Sequence, residues 1–196
     1  MNIEKTIKNL EKRGYKVSFF PSSESAISYL LENIKNTEVG IGGSVTANTL
    51  GLPQLLAKEN TVYSHQLVPG NETIAKANAA EVYITSANAI SEDGEILNID
   101  GRGNRLAAQV FGDKRLYIVA GTNKICPDFM SALERARNIA SPLNCQRLNR
   151  NTPCRADGKC HDCHSADRIC NALLVHWAPM LGMDTEVVLI GEELGY

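Results

Sequence analysis

Residues 38–60 read EVGIGGSVTANTLGLPQLLAKEN, and this stretch decides the fold class. A short apolar run is followed by two glycines and then by helical spacing, which predicts a strand, a tight turn and a helix. The same alternation continues along the chain: strands are predicted at 15–20, 61–67, 81–90, 95–99, 114–121 and 186–194, and helices near 3–10, 26–34, 72–80, 106–111 and 127–140. Strands that alternate with helices indicate an α/β fold, with a mostly parallel sheet and flanking helices.

The composition is that of an ordinary globular protein. The chain has 196 residues, of which 43% are hydrophobic and 21% charged, enough for one well-buried domain or one domain with an appendage. The net charge of -2 gives no basic surplus, so nucleic acid and anionic membranes are not expected partners.

The N-terminal segment, MNIEKTIKNLEKRGYKV, is polar and amphipathic and lacks the apolar region of a secretory signal. No apolar run approaches the roughly 18 residues that suggest a membrane span. We therefore expect a cytoplasmic protein, where thiols are kept reduced and disulfides are disfavoured.

Four of the six cysteines lie in one polar segment, residues 154–170, which reads CRADGKCHDCHSADRIC. The central C-x2-C places two sulfurs on one side of a turn, and the flanking segments can curl back to supply two more ligands. An iron–sulfur cluster, a zinc ion and no metal remain as alternatives. His161 and His164 are expected to be exposed loop residues, whereas Cys126 and Cys145 are expected to be small buried hydrophobes. The predicted metal ligands are Cys154, Cys160, Cys163 and Cys170.

The glycine turn after the first quoted strand is a candidate anion site. Gly42 and Gly43 allow positive φ and close backbone approach, and Ser44 and Thr46 offer amides and hydroxyls at the start of a helix. The spacing matches neither a dinucleotide fingerprint nor a P-loop. A simple tight turn with Ser44 as the helix N-cap is the alternative.

Residues 86–105, SANAISEDGEILNIDGRGNR, hold a second group of polar candidates. Asn88 follows an apolar strand, and the ends of such strands are where α/β sheets bind ligands. Asn98, Asn104 and Arg105 stand near glycines, and Arg105 could pair with a carboxylate or phosphate. Glu92 and Asp93 are expected to be solvated, and His65 is either a structural histidine or a base.

Together, VGIGGSVT, EVYITSANAISEDGEILNIDGRGNR, LYIVAGTNKI and RNIASPLN resemble the LUD domain, the family of lactate-utilisation protein C. The resemblance covers nearly the whole chain, so residues 1–196 would form a single LUD domain with a metal-binding cysteine loop at about 145–171. It implies the fold shared by ribose-phosphate isomerase, glucosamine-phosphate deaminase and CoA-transferases, in which Gly42, Gly43, Ser44 and Thr46 would form a phosphate- or CoA-binding loop.

The resemblance also limits the chemistry. The catalytic aspartate of methylthioribose-phosphate isomerase falls on Asn88 here, and an amide cannot act as a general acid or base. No glutamate nucleophile of the CoA-transferase kind is evident. Whether the chain is an enzyme is therefore left open.

The family implies an accessory or electron-transfer component in the oxidation of lactate or a similar small hydroxy acid. Its ligand would be a small anion, a carboxylate, phosphate or CoA-like molecule, and iron–sulfur oxidoreductases would be partners. The alternative is an enzyme or sensor acting on a sugar phosphate or CoA ester, with a purely structural zinc. A homo-oligomer is compatible with either hypothesis.

Overall fold

The computed structural model describes residues 1–196 and has an α/β fold built on a six-stranded sheet whose neighbouring strands are all parallel. In spatial order the strands are β1 (Lys16–Phe20), β10 (Met183–Ile190), β7 (Lys114–Gly121), β4 (Val82–Thr85), β2 (Glu38–Ile41) and β3 (Thr61–Ser64). The predicted α/β class with a mostly parallel sheet is confirmed. Because all strands point the same way, their carboxyl ends meet along one edge.

A smaller sheet of four strands follows the order β8 (Ile125–Cys126), β5 (Ala89–Ser91), β6 (Ile96–Asp100) and β9 (Ala172–His176). The pairs β5–β6 and β6–β9 are antiparallel, and β5–β8 is parallel. β4 leads into β5 and β7 leads into β8, so the second sheet continues directly from two central strands of the first.

The helices are α1 (Ile3–Lys12), α2 (Ser23–Asn33), α3 (Val45–Thr49), α4 (Leu52–Leu56), α5 (Asn71–Ala79), α6 (Asn104–Val110), α7 (Phe129–Arg135), α8 (Ser141–Arg147) and α9 (Pro153–Asp157). A π-helical turn, Ala136–Ala140, joins α7 to α8, and a 3-10 turn, Thr122–Lys124, follows β7. Side-chain oxygens cap the first turns of α1, α2 and α7. None of these helices combines the length and apolar character needed to cross a membrane.

Apolar layers cover both faces of the large sheet. On β10, Val188 and Ile190 belong to one buried cluster, and Val187 and Leu189 belong to another. Since both faces are buried, residues 187–190 of this strand form a continuous apolar run rather than an alternating one. The core therefore fixes the central strands and, with them, the loops at their carboxyl ends.

The structure corrects several elements of the sequence-based prediction. The terminal strand predicted at 186–194 runs from Met183 to Ile190. The segment 81–90 is not one strand, because the chain leaves the large sheet after Thr85 and enters the small sheet at Ala89. The helix predicted at 127–140 continues through the π turn to Arg147. The strand β9 was not predicted, since its residues are mostly exposed or half-buried and show no clear alternation.

Candidate functional site

The main cavity lies at the carboxyl edge of the large sheet, between that sheet and the small one. The segments that follow β2, β4 and β7 all reach its wall, and these three strands are neighbours in the sheet. The cavity has a volume of about 440 Å³, which suits a small molecule.

A buried cluster of polar side chains forms the inner wall of this cavity. Lys124 Nζ donates to Ser86 Oγ at 2.8 Å and to Thr46 Oγ1 at 3.0 Å. The Ser86 hydroxyl lies 3.3 Å from Thr46 Oγ1, and Thr46 in turn donates to the carbonyl of Leu194 at 3.3 Å. Three loops that follow different strands therefore meet at one amine, under the C-terminal tail.

Lys124 is 3% exposed and forms no ion pair with any carboxylate. Its pKa is lowered to about 7, mainly by burial, with the positive charges of Arg135 and Arg105 contributing. A substantial fraction of this amine is consequently neutral near neutral pH, in contrast to a solvated lysine.

Cationic side chains dominate the rest of the cavity wall. Besides Lys124, five arginines line it: Arg102, Arg105, Arg147, Arg150 and Arg168. Only Asp100 and Asp167 oppose them, and both are already engaged. Asp100 accepts from the backbone amides of Gly101 and Arg105, and Asp167 accepts from the amide of Asn151. The wall is therefore strongly electropositive.

His65 also lines the cavity and is half-buried. Burial is the main cause that lowers its pKa, and the nearby charges of Arg102, Arg147 and Arg105 act in the same direction. The imidazole is therefore shifted toward its neutral form, and the contribution of the arginines reflects the positive potential in this cavity.

The structure brings most of the sequence-predicted ligand residues to this wall. The residues on it are Gly43, Ser44, Thr46, Asn88, Asn104 and Arg105. Gly42 lies beneath the wall, packed against Tyr83, and Asn98 is fully buried elsewhere with its amide donating to Gln109 Oε1 at 2.9 Å. Whether these residues bind a ligand stays a prediction.

The glycine turn depends on close packing rather than on left-handed backbone. Neither Gly42 nor Gly43 has a positive φ. A Cβ on Gly42 would lie 2.6 Å from Tyr83 Oη, and a Cβ on Gly43 would lie 3.3 Å from the His65 ring. Ser44 caps α3 by accepting from the amide of Ala47 at 3.1 Å, so the predicted N-cap is present as well.

Asn88 has a structural role in addition to its place on the wall. Its side-chain oxygen accepts from the amide of Ile99 at 2.7 Å, and its backbone carbonyl accepts from Arg135 Nη1 at 2.5 Å.

Arg105 Nη2 donates to the carbonyl of Ile99 at 2.6 Å, and its Nε lies 3.8 Å from Asp100 Oδ2. These bonds fix the Arg105 guanidinium at the cavity while leaving Nη1 without a partner.

Sequence reasoning missed Lys124, Ser86 and Arg147. The rule that singled out Asn88, polar residues just after an apolar strand, applies equally to Ser86 after β4 and to Lys124 after β7. Arg147 could not be found this way, because it ends α8 and reaches the wall only through the folded helix.

The predicted metal ligands lie in a segment that runs from α9 to β9. Cys160 Sγ lies 3.6 Å from Arg137 Nη2, and Arg168 donates to the carbonyls of Cys163 and Cys170. Burial is the main cause that raises the pKa of the Cys170 thiol, and the thiols of Cys160 and Cys163 raise it too. These three thiols therefore lie close enough to one another to interact electrostatically.

Cys154, at the start of this segment, lies beside the buried Cys145. Burial raises the pKa of the Cys145 thiol, and Cys154 and Cys170 contribute to the rise. No group of three or more His, Cys, Asp and Glu side chains is arranged to hold a metal ion. The thiol donors suit iron or zinc in their chemistry, while their placement is not that of four ligands around one ion.

Comparisons with known proteins agree with this architecture. The family model of the LUD domain matches residues 3–190. A crystal structure of a DUF162 family protein from Deinococcus radiodurans superposes with a TM-score of 0.55 at 14% identity, over 96% of each chain. The structure of eIF2B beta from Chaetomium thermophilum gives a TM-score of 0.32 at 17% identity, over 65% of this chain and 44% of that one. No curated protein shows significant sequence similarity. On the match over residues 3–190, the chain belongs to the LUD domain family.

Proposed function

We propose that the main cavity binds a small molecule carrying a carboxylate or a phosphate. The observation that carries this proposal is the excess of cationic side chains on its wall, five arginines against two side-chain carboxylates. Three of the arginines, Arg102, Arg147 and Arg150, form no ion pair within the chain. Because cations gathered around a concave site raise its positive potential, an anion is the complementary ligand.

The inner wall supports the same proposal. No acceptor in the chain bonds the backbone amides of Gly43 and Ser44, which lie at the cavity. Free amides beside a cationic side chain such as Arg105 can donate to one anionic group, and bonds of this charge-assisted kind are stronger than neutral ones. Recognition would therefore combine fixed donors on the inner wall with exposed arginines at the rim.

Isothermal titration calorimetry with inorganic phosphate, lactate and a CoA ester tests the binding proposal. Arg105→Ala should weaken binding by about 1.5–3 kcal/mol, the usual contribution of a hydrogen bond to a charged group. Arg115→Ala is the matched control, because Arg115 also donates to a backbone carbonyl, that of Asn33, but lies at the opposite end of β7. Equal losses in the two variants, or no binding of any anion by the wild type, would contradict the proposal.

We further propose that Cys154, Cys160, Cys163 and Cys170 hold an iron–sulfur cluster or a zinc ion, which would require this segment to rearrange and bring the four thiols together. The guanidinium groups of Arg137, beside this segment, and of Arg168, within it, favour this proposal because they would offset the negative charge of thiolate ligands. A cluster would supply one-electron transfer, and zinc would only hold the segment together.

With a cluster, the protein would be an accessory or electron-transfer component in the oxidation of lactate or a similar hydroxy acid. A second cavity of about 300 Å³, with Cys160 and Cys170 on its wall, supports this role because it shares Ile99 and Arg168 with the wall of the main cavity. With zinc, the alternative is an enzyme or sensor for a sugar phosphate or CoA ester.

Metal analysis of protein purified without oxygen separates these alternatives. A cluster gives brown protein with iron and sulfide, whereas zinc gives colourless protein. Cys163→Ser should abolish stoichiometric metal, and Cys126→Ser, which changes a buried thiol on β8, should not. Wild-type protein that binds neither metal in stoichiometric amount would overturn the proposed centre.

A further inference from the structure

Lys124 places a buried amine on the cavity wall, and no carboxylate forms an ion pair with it. Its Nζ has two protein partners, the hydroxyls of Ser86 at 2.8 Å and Thr46 at 3.0 Å. All three side chains line the cavity, although each residue is at most 5% exposed. Such an amine lies in an environment with little water, where a lysine readily loses its proton.

A desolvated lysine beside other cations is the usual form of a nucleophilic amine. Burial lowers the pKa of Lys124 to about 7, with Arg135 and Arg105 contributing. The lone pair that nucleophilic attack requires is therefore available near neutral pH. The two hydroxyls at hydrogen-bonding distance can take up and return the protons that leave the amine.

We propose that Lys124 forms an imine with a ligand that carries an aldehyde or ketone together with a carboxylate or phosphate. The inference deepens the proposed function and rests on it, since the arginines on the wall would hold the anionic group. Arg105 shares the wall with Lys124, so the cavity offers one ligand both a cationic anchor and an amine.

The step balances without an oxidant or a reductant. The Nζ lone pair attacks the carbonyl carbon and forms a C–N bond, while the C=O π pair moves to oxygen, which takes a proton. The resulting carbinolamine loses its hydroxyl group and one amine proton as water and becomes the C=N bond. Ser86 and Thr46 are the groups placed to pass protons between nitrogen and oxygen.

Reductive trapping tests the inference on the intact protein. Glyoxylate, pyruvate and glycolaldehyde phosphate each combine a carbonyl with an anionic group, and glycolaldehyde is the uncharged counterpart of the last. With sodium cyanoborohydride present, we expect one adduct per chain by intact mass, located on Lys124 by peptide mapping. Glycolaldehyde phosphate should reach half-maximal labelling at a concentration about tenfold or more below glycolaldehyde, because one charge-assisted hydrogen bond corresponds to at least that factor.

Lys114 offers a matched control within the same chain. It is buried, desolvation lowers its pKa as well, and its Nζ bonds the carbonyl of Asn78, but it does not line the cavity. Lys114→Arg should keep the single adduct, whereas Lys124→Arg and Lys124→Met should lose it. Labelling that falls on Lys114 or on exposed lysines as readily as on Lys124 would overturn the inference, and this outcome is visible in the wild type alone.

Inorganic phosphate, which has no carbonyl, separates failure of this inference from failure of the proposed function. Phosphate should bind and protect Lys124 from labelling. If phosphate binds in the cavity but none of the three anionic carbonyl compounds yields an adduct on Lys124, imine formation is wrong and anion binding stands. If phosphate does not bind and glycolaldehyde phosphate has no advantage over glycolaldehyde, both proposals fail.

Discussion

The lowered pKa of Lys124 predicts a specific dependence of stability on pH, which Lys124→Met should remove. The ordinary lysine pKa of 10.5 applies to the unfolded chain, and burial lowers it to about 7 in the folded protein. Between these two values the unfolded state binds one more proton than the folded state, so the free energy of unfolding rises with pH. The rise approaches about 1.4 kcal/mol per pH unit, which amounts to about 2 kcal/mol between about pH 7 and about pH 9.

Methionine keeps the length and apolar body of the lysine but has no titrating group. Other groups also titrate in this range: burial raises the pKa values of the Cys126, Cys145 and Cys170 thiols, which makes stability fall as pH rises. These thiols are the same in the wild type and in Lys124→Met. The difference between the two proteins therefore isolates Lys124.

Urea unfolding at about pH 7, 8 and 9, with linear extrapolation to water, measures this difference. Protein kept reduced throughout prevents disulfide formation in the unfolded state. From about pH 7 to about pH 9, the free energy of unfolding of the wild type should rise by about 2 kcal/mol more than that of the variant. Parallel curves would show that Lys124 titrates normally and that its amine does not lie in a dry environment.

Two further outcomes follow from buried polar groups. His176 is 1% exposed, neither ring nitrogen has a partner, and burial lowers its pKa from 6.5 to about 4. The free energy of unfolding should fall by about 3 kcal/mol as the pH drops from about 6.5 to about 4. In acid unfolding curves, His176→Leu should make this fall smaller. An unchanged slope in the variant would contradict the pKa shift. Asn98→Ala should cost about 1–3 kcal/mol in urea unfolding by leaving Gln109 Oε1 without its donor, while phosphate affinity stays unchanged. A loss of phosphate affinity would instead place Asn98 in the binding site.

The sequence predicts well those parts of the fold that local patterns determine. The strand predicted at 114–121 coincides with β7, and residues 116–121 form a continuous apolar run because both faces of the strand are buried. Gly43, Ser44 and Arg105 reach the cavity wall as expected from a turn after a strand and a glycine-rich loop before a helix. In each case the signal lies within about ten neighbouring residues.

What the sequence does not reveal depends on contacts between distant residues. Lys124 looks like any solvated lysine until Ser86 and Thr46, 38 and 78 positions away in the chain, enclose it. Asn98 is polar and stands near glycines, yet its position on β6 turns it toward Gln109 on α6 rather than toward the cavity. The register of a strand decides to which face each side chain points, and register cannot be deduced from composition.

The most direct test of the anion-binding cavity is a crystal structure of the protein soaked in selenate, with anomalous scattering used to locate selenium. Selenate has the shape and charge of sulfate and approximates phosphate. We expect one strong peak within hydrogen-bonding distance of Arg105 and of the amides of Gly43 and Ser44, reduced in Arg105→Ala crystals. Peaks confined to exposed lysines and arginines outside the cavity, with none over Gly43, would contradict the claim that this cavity is an anion site.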